Sequence, residues 1–322
     1  PSISAARDPM PMPSAFNLYV AWEVGSGSSH QVKVARSTVN GGSGSWSNPF
    51  AYDGYQQPDI DAGPWSRVYL VAVANGFPKH VHVKRSTDRG ASWGAWTNLT
   101  SGDGADDHGA PSVAASTDAA IPTAWVAYGY YEPAVLGGAD LRFAYSEDSG
   151  GSWTRNQVLS AEQGFDELTP DMVGYRAGAS RWMNIAYNHD RSARTNVVWR
   201  WVSGSTPTNW WAPRPVNDHD THPAADPQVI YSPGAGASGS GVVYAGTGSP
   251  LTNLYFAAPW LPPTGSGAVS ARVAVDRSTE GVLSRASEST QPMQPQAEAQ
   301  VGVSHWAFTG QAGQAFRVAG LA

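Results

Sequence analysis

Short segments of three kinds recur in a fixed order along the chain, and the positions of their hydrophobic residues define all three. The first kind is a short apolar strand that opens with proline. Proline is tolerated at the first position of a strand, where no hydrogen bond of the ladder is lost. Its copies begin about 53 to 59 residues apart, at residues 1–3, 58–60, 111–113, 170–172 and 227–229. This spacing indicates a repeated structural unit.

The second kind is a nearly continuous apolar run, which is typical of a strand buried on both faces. Its copies are residues 18–22, 68–72, 125–128, 183–187 and 242–245. The third kind alternates apolar and polar residues, as a strand with one wetter face does. Its copies are residues 32–36, 81–85, 141–145, 197–201 and 254–257. A weaker sixth unit is predicted from residues 272–275, 305–308 and 315–318.

Units of this length that repeat the same strands predict an all-β fold, a six-bladed β-propeller of four-stranded antiparallel blades. A β-sandwich is disfavoured because its strands do not recur as a three-part unit. Residues 1–283 are predicted to hold blades one to five and the start of the sixth, and residues 284–322 the remainder of blade six. Alternatively, residues 284–322 begin a separate β-domain, because residues 284–295 are polar and rich in Pro and Gln, as linkers are.

One eight-residue motif follows the third strand of two units, at residues 86–93 and 146–153, and both copies fit S-x-D-x-G-x-S-W. Its defining positions are Ser86, Asp88, Gly90, Trp93, Ser146, Asp148, Gly150 and Trp153. The motif resembles the Asp-box, or bacterial neuraminidase repeat, of the sialidase-like superfamily. The resemblance implies a propeller with Asp-box hairpins between the third and fourth strands of its blades, on the rim opposite any active site.

The residue types of this octad suit a tight hairpin. An aspartate accepts hydrogen bonds from the backbone of its own turn, and a glycine adopts the positive φ that such a turn requires. The tryptophan then covers the base of the hairpin with a large apolar ring. We therefore expect structural roles for the octad residues and look for functional residues elsewhere.

Composition narrows the classes of function without choosing one. The chain has 322 residues, of which 41% are hydrophobic and 14% charged, and it contains 35 Gly and 24 Pro. This favours many short elements joined by turns over long helices. The absence of cysteine excludes disulfides and cysteine nucleophiles and is compatible with export. A net charge of −6 gives little support to nucleic-acid binding, and no apolar stretch is long enough to cross a membrane. A secreted monomer is predicted.

The chain departs from the catalytic pattern of sialidases. Members of that family resemble one another in an early Arg-Ile-Pro segment, three arginines, a Tyr/Glu pair and an acidic Asp. Here Arg7, Asp8 and Pro9 stand where Arg-Ile-Pro would be sought, and the charge of Asp8 opposes the binding of a carboxylate. Typical sialidase activity is therefore not predicted.

Candidate site residues lie in the loops that a propeller gathers on the face opposite the octads, and these loops are rich in acids. Hydrolysis of a sugar needs two carboxylates that face each other, one as the acid and one as its partner. Asp107 or Asp220 is the predicted acid, and Glu167 or Asp171 is the predicted partner. Distances across the axis decide between these pairs, and the sequence does not contain them.

The same loops also permit a polysaccharide lyase. In that reading His189 or His222 removes a proton, Tyr131 donates one, and Arg191 neutralises a uronate. The functional residues of the two readings therefore overlap in position but differ in role.

Convergent carboxylates are a third possibility for these loops, because Ca²⁺ prefers oxygen ligands. Asp218, Asp220 and Asp226 are the predicted ligands if calcium binds, although no cofactor is required. The predicted function is a face, acidic and lined by aromatic residues, that binds carbohydrate or an extracellular protein, in an accessory module of a larger secreted protein. The alternative is a glycoside hydrolase or polysaccharide lyase acting at the axial pocket.

Overall fold

The structure is a computed structural model of the chain. It describes residues 2–7, 16–25, 29–38, 41–63, 66–102, 107–116, 123–131, 138–162, 165–177, 180–191, 194–203, 208–216, 224–231, 240–246, 253–257, 270–273, 306–309 and 317–320. The regular elements in these ranges are β-strands. Within the same ranges, no helix is long and apolar enough to span a membrane.

The strands form five antiparallel sheets of four strands and one sheet of two. Sheet one contains β1 (Ser2–Arg7), β2 (Phe16–Val24), β3 (Gln31–Ser37) and β4 (Phe50–Asp53). Sheet two contains β5 (Tyr55–Ala62), β6 (Val68–Ala74), β7 (Val81–Ser86) and β8 (Thr97–Asn98). Sheet three contains β9 (Asp107–Ala115), β10 (Ala124–Tyr131), β11 (Asp140–Ser146) and β12 (Thr154–Ser160). Sheet four contains β13 (Asp166–Ala177), β14 (Ser180–Arg191), β15 (Arg194–Ser203) and β16 (Arg214–Pro215). Sheet five contains β17 (Ala224–Tyr231), β18 (Ser240–Gly246), β19 (Asn253–Ala257) and β20 (Ser270–Val273), and sheet six contains β21 (Trp306–Thr309) and β22 (Arg317–Gly320).

The hydrophobic core lies between consecutive sheets. The first strands of neighbouring sheets contact each other from β1 to β17, which places them along a shared inner edge. Alternate residues of a second strand therefore face different neighbours. In β6, Leu70 packs toward sheet one, whereas Tyr69 and Val71 pack toward sheet three, and all three are buried. The nearly continuous apolar runs of the sequence arise because second strands are buried on both faces.

Three of the first strands contain a bulge directly before their proline. Gln57, Ala110 and Thr169 have φ angles of 52°, 44° and 48°, and the strand register shifts at the same places. Such angles are uncommon for residues other than glycine, and a bulge re-aims the part of the strand beside it. We call the end of the sheets where the first strands begin the site end. The opposite end, where the octads lie, is the hairpin end.

The residue after each of these prolines links its strand to the next sheet. Burial raises the pKa of Asp171 well above its usual range, and the nearby carboxylates of Asp59 and Asp61 raise it further. Asp171, a predicted catalytic partner, is thus placed by the structure in a link between sheets four and five. The three links join Asp59 Oδ2 to Val113 N at 2.8 Å, Ser112 Oγ to Met172 N at 3.2 Å, and Asp171 Oδ2 to Val229 N at 2.5 Å.

Both octads contain the same hydrogen-bond network. Asp88 Oδ1 accepts hydrogen bonds from Ser86 Oγ and Ser92 N, each at 2.8 Å, and its Oδ2 accepts one from Ser92 Oγ at 2.6 Å. Gly90, with φ of 71°, donates its N–H to Ser86 Oγ at 2.8 Å. Asp148 accepts the corresponding bonds in the second octad. Hydrogen bonds lower the pKa of both aspartates to about 2, and the largest contributions come from Ser92 in the first octad and Ser152 in the second.

Each octad also docks on the preceding sheet. Arg85 Nη1, from sheet two, donates a hydrogen bond to the carbonyl oxygen of Ser149 at 2.7 Å. Gly150 lies over the ring of Tyr69, so close that a Cβ there would lie 3.0 Å from the ring. The octad tryptophans Trp93 and Trp153 pack against the cores on either side of sheet two. The first octad repeats the arrangement, with Arg36 bonded to the carbonyl of Arg89 and Gly90 over the ring of Tyr19.

The predicted all-β fold of four-stranded antiparallel sheets is confirmed, with one strand assigned wrongly. Residues 272–275 were expected to open the sixth unit, but β20 pairs with β19 and completes sheet five. A short apolar segment does not itself distinguish the last strand of one sheet from the first strand of the next. Strands β21 and β22 pair with each other inside the predicted sixth unit. The count of six blades and the boundary after residue 283 stay predictions.

Candidate functional site

Four of the residues predicted from the loops form two pairs at the site end. Asp107 begins β9 and lies opposite Tyr131 of β10, and Glu167, near the start of β13, lies opposite His189 of β14. In an antiparallel pair, the start of one strand and the end of the other share an edge. Because β9 and β13 contact each other, the two pairs belong to adjacent sheets of one surface.

Tyr131 is the accessible member of the first pair, with 37% of its surface exposed. Burial of the rest of the ring raises the pKa of Tyr131, and the carboxylates of Asp166 and Asp107 raise it further. The phenol therefore lies in the field of two carboxylates, one from sheet three and one from sheet four. Backbone N–H groups fix both: Lys79 donates to Asp107 Oδ1 at 2.9 Å, and Ala139 donates to Asp166 Oδ1 at 2.8 Å.

Glu167 is the buried member of the second pair, with no exposed surface. Its Oε1 accepts hydrogen bonds from Ser160 Oγ at 2.9 Å and from Glu162 N at 3.2 Å, and its Oε2 has no partner among the described residues. Burial raises the pKa of Glu167 to about 7; the two hydrogen bonds oppose this rise, while Asp140 and Glu162 add to it. Glu167 can therefore hold a proton near neutral pH.

His189 connects this buried acid to the surface. Its Nε2 lies 3.1 Å from Glu162 Oε2 and 3.7 Å from Glu167 Oε1, and its ring stacks on Phe165 with centroids 4.0 Å apart.

The alternation of side chains along β13 explains why two consecutive acids differ: Asp166 is exposed and Glu167 is buried.

Phe77 is an exposed aromatic residue at the site end that the sequence analysis missed. It lies in the loop between β6 and β7, and 81% of its surface is exposed. Lys79, two residues further on, holds Asp107 through its N–H and accepts a hydrogen bond from His108 Nδ1 at 2.9 Å. The loop that carries Phe77 is therefore hydrogen-bonded to the start of sheet three. The sequence contains a signal for Phe77, because its loop joins the second and third strands of sheet two, as the loop after Tyr131 does in sheet three.

Five other predicted residues cannot be placed in the site. Asp218, Asp220 and His222 lie outside the described residues. Asp226 belongs to β17 and Arg191 to β14, but the positions of their side chains are not described. Within the described ranges, no three His, Asp or Glu side chains are grouped closely enough to hold a metal ion. Calcium binding by the 218–226 segment stays a prediction.

Comparisons with known proteins support the fold. The solved structures of similar fold include the K499G mutant of NanB sialidase from Streptococcus pneumoniae, with TM-score 0.55, 9% identity and coverage of 85% of this chain and 61% of that one. They also include an α-L-arabinanase of Penicillium chrysogenum complexed with arabinobiose, with TM-score 0.50, 12% identity and coverage of 83% and 79%. An ulvan lyase matches with TM-score 0.45, 11% identity and coverage of 76% and 64%.

These comparisons define the class of fold without defining a family. No family model and no curated protein sequence matches the chain. The NanB sialidase and the arabinanase have propeller folds, so the chain is an all-β protein of four-stranded antiparallel sheets in a propeller-like arrangement. The chain spans 53% of the length of one matching sialidase and 61% of the NanB structure.

Proposed function

We propose that the site end of sheets three and four binds carbohydrate, and that it favours neutral glycans. The observation that carries this proposal is the accessible phenol of Tyr131 in the field of the Asp107 and Asp166 carboxylates. The apolar face of a sugar ring packs on an aromatic ring, while its hydroxyl groups donate hydrogen bonds to carboxylates. The same carboxylates repel uronates and sulfated sugars.

A solved structure of similar fold is an arabinanase complexed with arabinobiose, and this likeness is consistent with the carbohydrate class of the proposed ligand. The two complete octads support membership of the Asp-box propellers with six blades. The proposal includes export from the cell and a role within a larger secreted protein. Binding of an extracellular protein by this surface is the competing form of the same prediction.

The experiment measures binding of wild-type protein to neutral arabino- and xylo-oligosaccharides by a glycan array, followed by calorimetry on the hits. Tyr131→Ala is expected to weaken binding at least tenfold, because it removes the ring and the hydroxyl together. Trp46→Ala is the matched control, since Trp46 is 38% exposed, against 37% for Tyr131, but lies at the hairpin end. Equal binding by the wild type and Tyr131→Ala, or binding of acidic glycans alone, contradicts the proposal.

A second function, cleavage of a glycan at this surface, is favoured by the raised pKa of Glu167, which suits the role of the acid rather than that of the partner expected from the sequence. A general acid of a glycosidase must hold its proton at the working pH, and a pKa of about 7 allows this. The lyase form of the prediction, in which His189 removes a proton and Tyr131 donates one, needs a uronate, and the carboxylates of Asp107 and Asp166 oppose the binding of one. If this surface cleaves a glycan, release of reducing ends without unsaturated products is therefore expected.

The two activities are tested on the ligands that the array identifies. Wild-type turnover that Glu167→Gln abolishes, with ligand binding retained, supports a hydrolase that depends on the ionisable carboxyl of Glu167. Turnover that Glu167→Gln leaves intact excludes Glu167 as the acid. Binding without turnover in the wild type rejects the enzyme and leaves the binding function.

A further inference from the structure

A stack of three tryptophans crosses one face of sheet four at the hairpin end. Trp199 and Trp201, two residues apart in β15, stack with ring centroids 4.5 Å apart and an angle of 29° between their planes. Trp211, in the hairpin that follows, stacks on Trp201 with centroids 5.3 Å apart and an angle of 16°. Exposure rises along the stack, from 1% at Trp199 through 8% at Trp201 to 55% at Trp211. The outermost indole is thus open to solvent and is supported from beneath.

The backbone of Trp211 is fixed on both sides. Its N–H donates to the carbonyl oxygen of Trp201 at 2.9 Å, and its own carbonyl oxygen accepts a hydrogen bond from Arg200 Nε at 2.9 Å. Arg200 also donates to the carbonyl oxygen of Leu159 in sheet three, which ties the hairpin to its neighbour. A rigid, exposed aromatic ring loses little conformational entropy when it binds a ligand.

A cationic group lies beside the stack. Arg214 faces Trp199 across the ladder between β15 and β16, and its guanidinium lies 5.0 Å from the ring centroid of Trp201. Arg214 is exposed, and residues 208–216 contain no Asp or Glu. Within residues 208–216, Arg214 is therefore the one charged side chain, and it is a cation. Guanidinium pairs with carboxylate or sulfate through a planar fork of donors.

From this juxtaposition we infer that Trp211 and Arg214 form a second binding surface, specific for an acidic polysaccharide. One sugar ring stacks on the indole of Trp211, and the carboxylate or sulfate of the same or the next sugar pairs with Arg214. The charge of this surface is opposite to that of the site end, where Asp107, Asp166 and Glu162 lie. The two surfaces therefore select different glycans and lie at opposite ends of the sheets.

The test is affinity electrophoresis of the wild-type protein in native gels that contain polygalacturonate, with arabinan as the neutral comparison. Polygalacturonate is expected to retard the wild type, and retardation should weaken as salt is added. Trp211→Ala should lower the apparent affinity at least fivefold, and Trp211→Phe should restore most of it. Arg214→Gln should lower affinity for polygalacturonate and leave any affinity for arabinan unchanged.

Two variants serve as controls. Trp46→Ala removes an exposed tryptophan from the corresponding hairpin of sheet one and is expected to migrate as the wild type does. Tyr131→Ala, which tests the site end, should keep its retardation by polygalacturonate, so that failure of one proposal does not affect the other. Absence of retardation in the wild type, or equal retardation of the wild type and Trp211→Ala, overturns the inference. Equal retardation of Tyr131→Ala by arabinan and by polygalacturonate, with the site end weakened, overturns the role of Arg214.

Discussion

Replacement of Glu167 by glutamine should change how the stability of the protein depends on pH. In the folded protein the pKa of Glu167 is about 7, against an ordinary value of 4.5, and burial is the main cause. Between these two values the folded state holds a proton that the unfolded state has lost. The free energy of unfolding of the wild type therefore falls as the pH rises through this window, and the contribution of Glu167 is fully present only below pH 4.5.

The magnitude follows from the shift of about 2.5 units between 4.5 and 7, at 1.36 kcal/mol per unit, which gives about 3 kcal/mol. Glu167→Gln keeps an oxygen that can accept the hydrogen bonds from Ser160 Oγ and Glu162 N. It removes the ionisation. Relative to the wild type, the variant should gain about 3 kcal/mol in stability between pH 4 and pH 8.

The assay is urea unfolding followed by tryptophan fluorescence at pH 4, 5, 6, 7 and 8, with midpoints compared at constant slope. Glu147→Gln, in the second octad, controls for the loss of one negative charge from the chain, and any pH dependence that it shares is subtracted. His189 Nε2 lies 3.7 Å from Glu167 Oε1, so the series is repeated in His189→Gln to remove any effect of the imidazole on Glu167. Parallel curves for Glu167→Gln and the wild type in both backgrounds refute the reasoning.

Two further predictions concern the joints between sheets, and thermal melting checks both. Gly150→Ala places a Cβ 3.0 Å from the Tyr69 ring at φ of 78° and should cost more than Gly54→Ala, at φ of 77° with no atom within 4 Å of the added Cβ. The backbone conformation alone costs each about 1 kcal/mol, so equal losses would contradict the docking of the octad. Asp171→Asn keeps an acceptor for Val229 N and removes a carboxyl whose pKa is raised, so it should stabilise the protein above pH 4 and have less effect below it.

The sheets could be predicted from the sequence because their strongest signal is local. A second strand such as β6 packs on both faces, and its consecutive residues are therefore apolar. Fourth strands carry no such signal. Thr97–Asn98 and Arg214–Pro215 are two residues long and pair at the edge of their sheets, which is why the fourth strand of sheet five was taken for the start of another unit.

The candidate site was predictable by position but not by role. Loops that a propeller gathers on the face opposite the octads were expected to hold Asp107, Tyr131, Glu167 and His189. The structure shows these four residues at one end of the sheets, in two pairs. The roles of Glu167 and Tyr131 differ because Glu167 is buried and Tyr131 is accessible. This difference depends on how sheets three and four pack against each other. The alternation of consecutive residues along a strand is the one local clue, since it predicts that two adjacent acids face opposite sides.

The octad depends on the sheet before it as much as on its own hairpin. In sheet two, Tyr69 pairs with Arg85, and these residues give the octad of sheet three a ring for its glycine and a donor for its carbonyl. At the same positions sheet three has Trp125 paired with Tyr145, and sheet four, which follows, carries no complete octad but packs Trp210 against the core beside Tyr145. An octad without the Tyr and Arg of the preceding sheet would leave its carbonyl without that donor. The presence of the motif in a unit is thus explained by the face it docks on, whose arginine donor lies 53 and 64 residues earlier in the two cases.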